Sequence, residues 1–108
     1  MLHIDIKPVS INACWRGRRF KTPLYEDYEQ EMSLLLPRLK IGPNKLFLKL
    51  RLGLSNKKSD VDNPVKPILD ILQKKYGFND KQIYKMEVEK VGVVKGKEFV
   101  EFRLTGLK

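Results

Sequence analysis

The residues best suited to chemistry lie between positions 59 and 80. The run Ser59-Asp60-Val61-Asp62-Asn63-Pro64-Val65-Lys66-Pro67-Ile68-Leu69-Asp70 holds three aspartates and a lysine, and Asp80 follows behind Gly77-Phe78-Asn79. Two apart on an extended segment, Asp60 and Asp62 point the same way. At i, i+4 and i+8, Asp62, Lys66 and Asp70 share one helix face. If the strands on either side of this segment are neighbours, Asp80 returns near Asp60 and Asp62. Carboxylates converging at one point repel each other and persist ionised only when a cation neutralises them. Hard oxygen donors without His or Cys favour Mg²⁺ or Mn²⁺. Such ions beside a lysine form a site for phosphodiester hydrolysis, since they lower the pKa of an attacking water and stabilise charge on the phosphorane. Lys66 then neutralises the scissile phosphate or orients the water.

Each residue has a plainer alternative. A D-x-D pair alone is equally a helix cap and a solvated acid. Asp62 or Asn63 is placed to cap the following helix, with Pro64 in its first turn. Asp70 is spaced to pair with Lys66 or Lys74. Asp80 suits an Asx turn, and Lys66 ordinary helix surface. The metal reading gains weight from carboxylates at three strand and helix ends in a chain of net charge +9.

That net charge points to a polyanionic partner or, more simply, to solubility. Residues 1–58 carry +7 of it, with 12 basic and 5 acidic side chains. Arg16, Arg18, Arg19 and Lys21 cluster around Gly17 beside Trp15. The arginines are candidates to grip phosphates, and Trp15 either stacks on an unpaired base or fills the core. Lys57 and Lys58, next to the acidic segment, are further candidate phosphate contacts. The single Cys14 and single His3 exclude an internal disulfide, a thiolate zinc site and histidine-rich chemistry. Cys14 reads as a small apolar filler in a reducing cytoplasm, and His3 as structural or solvated. No stretch approaches the ~18 apolar residues of a membrane span, and the first residues lack the build of a signal peptide.

Positioning these groups requires a small set of elements. Leu2 to Lys7 alternates as a half-buried strand ended by Pro8. Residues 10–23 read as irregular. A helix starts at Pro23, with Leu24, Tyr28, Met32, Leu35 and Leu36 as its apolar stripe, and Pro37 ends it. Leu46 to Leu54 is the clearest strand. A second helix buries Val65, Ile68, Leu69 and Leu72 and is capped by Gly77; Pro67 distorts its first turn. Ile83 to Val94 is a strand that loses phase near Gly92, and Phe99 to Leu104 follows a turn at Lys95-Gly96-Lys97. The order β-α-β-α-β-β predicts one α+β domain over 1–108. It has a four-stranded mixed sheet with two helices on one face. Phe47, Phe99 and Phe102 are candidates for the core or for the other face, and an uncovered apolar face is a route to a dimer.

The run Asp60-x-Asp62-Asn63-x-x-Lys66-x-x-x-Asp70, followed by Asp80, resembles the core motif of the RusA-like Holliday-junction resolvases. Asn12 and Trp15, the basic loop and the next helix resemble that family's opening segment, so the likeness covers nearly the whole chain. It implies a homodimeric, Mg²⁺-dependent endonuclease that cuts four-way DNA junctions symmetrically. By resemblance Asp60, Asp62 and Asp80 are the catalytic, metal-binding aspartates, Lys66 the essential lysine and Asp70 the helix aspartate. Asp70 and Asn63 are then candidate supporting residues, and Asn12, Arg16, Arg18, Arg19, Lys21, Lys57 and Lys58 remain candidate DNA contacts beside them. Asn79 departs from the family by replacing the first acid of a DD pair, and Pro67 follows the lysine directly. Resolution needs paired cuts on two strands related by a two-fold axis, which a symmetric dimer supplies. Competing readings are a non-enzymatic junction- or duplex-binding module and a nuclease directed at branched DNA or RNA.

Overall fold

The structure, a computed structural model, describes every residue except Arg18, Arg19, Lys57, Ser59 and Lys108. The elements in chain order are β1 (Leu2–Ile4), β2 (Trp15–Arg16), β3 (Phe20–Lys21), α1 (Pro23–Leu35), β4 (Leu46–Leu54), α2 (Val65–Tyr76), β5 (Ile83–Gly92) and β6 (Phe99–Gly106). Short 3-10 turns lie at Ile11–Ala13 and Asp80–Gln82. The main sheet has the order β1-β6-β4-β5, with β5 parallel to β4 and the other pairs antiparallel. It is therefore the expected four-stranded mixed sheet. The segment expected to be irregular instead folds into a separate two-stranded ribbon, β2-β3, with Gly17 supplying a left-handed φ of 69°.

Alternation along β4 decides which face is buried. Leu46, Leu48, Leu50 and Leu52 are at most 3% exposed and meet Val100 and Phe102 of β6 across the sheet. Phe102 is thus a core residue. Helix α1 covers them with Tyr25, Tyr28 and Met32, and Leu36 follows just beyond its end. The stripe is rotated from the expected one: Leu24 and Leu35 are half-exposed, while Tyr25 is buried in their place. Tyr25 suits the inside because its ring packs against Trp15 as well as the core. From α2 come Pro67, Ile68, Ile71 and Leu72, while Val65 and Leu69 are only partly buried.

The helix ends follow from local chemistry. Thr22 Oγ1 accepts the Tyr25 N–H (3.2 Å), and Pro23 occupies the first helical position of α1. Gly77 closes α2 in the left-handed region at φ 71°, donating to Gln73 C=O (2.8 Å). At the other end of α2 the expected side-chain cap is absent. Pro64 holds the cap position, and only the Asp62 carbonyl is used, accepting the Val65 N–H (3.1 Å). Pro67 is then the third residue of α2. Its missing N–H would have lacked an intrahelical acceptor anyway, so no distortion of the turn is needed.

The second face of the sheet is open, and it is charged. Arg51 donates to Glu101 (2.7 Å) on one side and Glu89 (3.2 Å) on the other, and His3 bridges Glu101 (2.8 Å) and Asp5 (2.7 Å). Phe47 and Phe99 sit on this face as partly buried side chains among the ion pairs. Of the two surfaces open to the phenylalanines, Phe102 takes the core, and Phe47 and Phe99 take the charged face. No helix among the described residues is long and apolar enough to cross a membrane.

Candidate active site

Asp60 and Asp62 lie just beyond the C-terminal end of β4, and both are exposed. Val61 to Pro64 forms consecutive turns, so the period-2 argument for an extended segment does not apply there. Among the described residues neither carboxylate has a hydrogen-bond or ion-pair partner. The Asn63 carbonyl accepts the Ile11 N–H (2.9 Å). That one bond ties the aspartate turn to the segment leading into the β2-β3 ribbon.

Lys66 and Asp70 lie on α2 one turn apart, with Nζ 2.7 Å from the Asp70 carboxylate. Because α2 begins at Val65, Asp62 does not share their helical face. Asp70 therefore orients the lysine, and Asp62 has no partner among the described residues.

Asp80 is placed elsewhere. The strands on either side of α2 are neighbours, as expected, but Leu46 pairs with Ile83 and Leu54 with Gly92. Asp80 therefore stands at the end of the sheet where β4 starts, and Asp60 and Asp62 at the end where it finishes. A strand the length of β4 spans about 26 Å, whereas Mg²⁺–oxygen distances are ~2.1 Å. Among the described residues no three acidic, His or Cys side chains come together to hold a metal. The expected convergence of the three aspartates does not occur within one chain. The Asp80 N–H donates to Gln73 Oε1 (2.9 Å). Asn79, the departure from the family's acid pair, serves the local fold. Its side chain accepts the Lys81 N–H (2.9 Å), while Gln82 Oε1 accepts the Asn79 N–H (3.0 Å). This capping box leaves the Asp80 carboxylate without a protein partner among the described residues.

The ribbon divides the basic residues into two kinds. Lys21 turns inward, with Nζ 2.7 Å from Glu29 and 5.5 Å from the centre of the Tyr25 ring. Lys74 of α2 reaches the same carboxylate (2.9 Å). Burial pushes the Glu29 carboxyl up, but the hydrogen bonds and charges of Lys21 and Lys74 outweigh it and hold it below the usual range. Arg16 is exposed and makes no ion pair among the described residues. Asn12 and Lys58 are exposed, each with its backbone N–H in a local turn bond. Arg18, Arg19 and Lys57 lie outside the described residues. Cys14 is fully buried, its Sγ 3.3 Å from Ser10 C=O, and burial pushes its thiol up to about 11. That is the inert filler expected.

The sequence model of the endodeoxyribonuclease RusA family matches residues 11–103. The chain belongs to the RusA family. Membership implies an endonuclease that resolves Holliday junctions. A comparison with curated proteins returns no match. The matched span takes in the RusA motif aspartates, Lys66 and the whole β2-β3 ribbon. One exposed residue of that ribbon, Phe20, lies outside the aspartate–lysine motif and the basic cluster. Its signal is the aromatic–cation pairs Trp15-Arg16 and Phe20-Lys21 on either side of Gly17, a hairpin pattern.

Proposed function

We propose that this RusA-family protein is a metal-dependent, structure-selective endodeoxyribonuclease that resolves four-way DNA junctions as a homodimer. Each active site combines Asp60 and Asp62 of one copy with Asp80 of the other. The observation that carries the reading is the Ile11–Asn63 bond of 2.9 Å, which ties the turn bearing Asp60 and Asp62, two carboxylates without a partner among the described residues, to the segment leading into the ribbon that carries Arg16. The ribbon side attracts the phosphodiester backbone, and the carboxylates stand where it arrives.

The donor set fits a hard divalent ion. Mg²⁺ commonly takes one or two carboxylates and completes its shell with water and substrate phosphate oxygens. Asp60 and Asp62 of one copy, with Asp80 of the other, would hold it, with Mn²⁺ as the natural substitute. When bound, the ion supplies Lewis-acid stabilisation of the phosphate and a more acidic water. Lys66, steadied by Asp70, places a positive charge in the first turn of α2, just after the Asp62 turn, where it neutralises phosphate charge. Arg16 and Lys58 hold the backbone on either side.

The dimer follows from two considerations. Paired cuts need two sites related by a two-fold axis. A two-fold perpendicular to the strands runs two β4–β5 pairs in opposite directions, bringing one copy's Asp80 end toward the other's Asp60–Asp62 end. β5 begins just after Asp80, and its outer edge pairs with no strand among the described residues. Such an edge is open to a second copy. The free thiol Cys14 suits a cytoplasmic setting.

The test is cleavage of a synthetic four-way junction. Symmetric nicks are expected with Mg²⁺ or Mn²⁺ and none with a chelator. Asp62→Asn is expected to abolish cleavage and keep junction binding. Binding without cleavage in any divalent ion would favour a non-enzymatic module instead, and equal cleavage of structured RNA would redefine the substrate.

A further inference from the structure

The β2-β3 ribbon has two faces of different character. In an antiparallel pair, directly opposed residues share a face. Trp15 opposes Lys21, and Arg16 opposes Phe20. The first face is turned onto α1: the Trp15 ring lies 5.9 Å from that of Tyr25, and Lys21 reaches Glu29. The ribbon's base is pinned by Thr22 Oγ1 to Ala13 C=O (2.7 Å) and Thr22 N–H to Cys14 C=O (2.9 Å). Trp15 is therefore partly engaged with its neighbours, 37% exposed against 71% for Phe20. The second face presents Arg16 and Phe20 to solvent, and Phe20 is 71% exposed with no ring partner among the described residues.

A single exposed apolar side chain is ordinary on a protein surface. This one is set apart by its company. It opposes Arg16, which makes no ion pair among the described residues, on a ribbon whose leading segment is tied to the Asp60–Asp62 turn by the Ile11–Asn63 bond. Bases inside a duplex are stacked and unavailable, whereas bases where junction strands part offer open π-faces. An aromatic ring beside a cation suits that target, because stacking takes any base and the cation takes the adjoining phosphate.

We infer that Phe20 stacks on a base exposed at the branch point while Arg16 holds the neighbouring phosphate. This makes Phe20 the residue that separates an open junction from plain duplex. The inference rests on the junction-resolving reading above.

The test measures binding without divalent ions, so that no strand is cut. Wild type, Phe20→Ala and Phe20→Trp are titrated against a four-way junction and a duplex of the same sequence. Phe20→Ala is expected to weaken junction binding by about 5- to 100-fold, the worth of one stacked base, and to leave duplex binding within about twofold. Phe20→Trp restores junction affinity. Its added indole is quenched by the junction beyond any quenching of Trp15 in wild type, and not by duplex. If Phe20→Ala binds the junction as wild type does, or weakens on both substrates alike, the inference is overturned while the junction reading stands. If wild type itself fails to prefer the junction, the underlying reading falls and the inference with it.

Discussion

Asp62 and Asp80 stand at opposite ends of the parallel β4–β5 pair, although only α2 and two short turns separate them in the chain. The crossover helix carries the chain back along β4 before β5 begins. Under the proposed function, a metal-binding role shared by these two residues would be met between two copies and not within one.

Lys66 is held by Asp70 on an exposed stretch of α2, and its side chain is 55% accessible. An exposed i, i+4 pair is screened by solvent and contributes under about 0.5 kcal/mol. Lys66→Ala should leave the melting temperature nearly unchanged and reduce junction cleavage by about 100-fold or more. Thermal melts alongside single-turnover cleavage would check this, and parallel losses of stability and activity would contradict it.

Glu29 ties Lys21 of the ribbon to Lys74 of α2. Glu29→Gln should destabilise the fold by about 1 kcal/mol. The pH dependence has a definite sign. The carboxyl is held below its ordinary value of 4.5, so its contribution is complete above that value and lost as pH falls through the lower folded one. The stability gap between wild type and Glu29→Gln should be constant from neutral pH to about 5 and close in more acid solution. Denaturant melts across that range would show it.

His3 bridges Glu101 and Asp5 on the open face, and its hydrogen bond to Glu101, then that to Asp5, raises it above 6.5. Its contribution is therefore present below 6.5 and lost as pH rises through the folded value. An NMR titration should place the His3 midpoint above 6.5, and Glu101→Gln should move it down. An unchanged midpoint in Glu101→Gln would remove Glu101 as the cause.

Gly53 lies under the Phe99 ring. A Cβ there would sit 2.4 Å from the ring edge, which real contacts do not allow. Gly53→Ala should cost about 1–3 kcal/mol by overpacking. Adding Phe99→Leu should recover part of that loss, and a double mutant no more stable than Gly53→Ala alone would show that the ring is not the obstacle.

Much of the frame was legible in the residues. The alternation from Leu46 to Leu54 marked β4 at both ends, and Gly77 marked the end of α2. The inward face of α1 was harder, because Leu24 and Tyr25 are both apolar enough for the core and only the ribbon's packing decides between them. The position of Asp80 was readable in principle. A strand, a helix and a neighbouring strand make a parallel pair, and parallelism sends the start of β5 away from the end of β4. Phe20 was hidden because the ribbon strands are two residues each, too short for any period to show.

The composite site can be tested by mixing two inactive proteins. Asp62→Asn and Asp80→Asn are each expected to bind junctions and cut nothing. In a mixed dimer both substitutions fall in one of the two sites. The other keeps Asp60 and Asp62 of one copy and Asp80 of its partner intact. Co-refolding equal amounts should restore single-strand nicking of the junction to about one quarter of the wild-type rate, since half the dimers are mixed and each has one working site. If the mixed protein binds junctions but nicks no faster than either variant alone, the three aspartates do not work across the dimer, and the account of the active site is wrong.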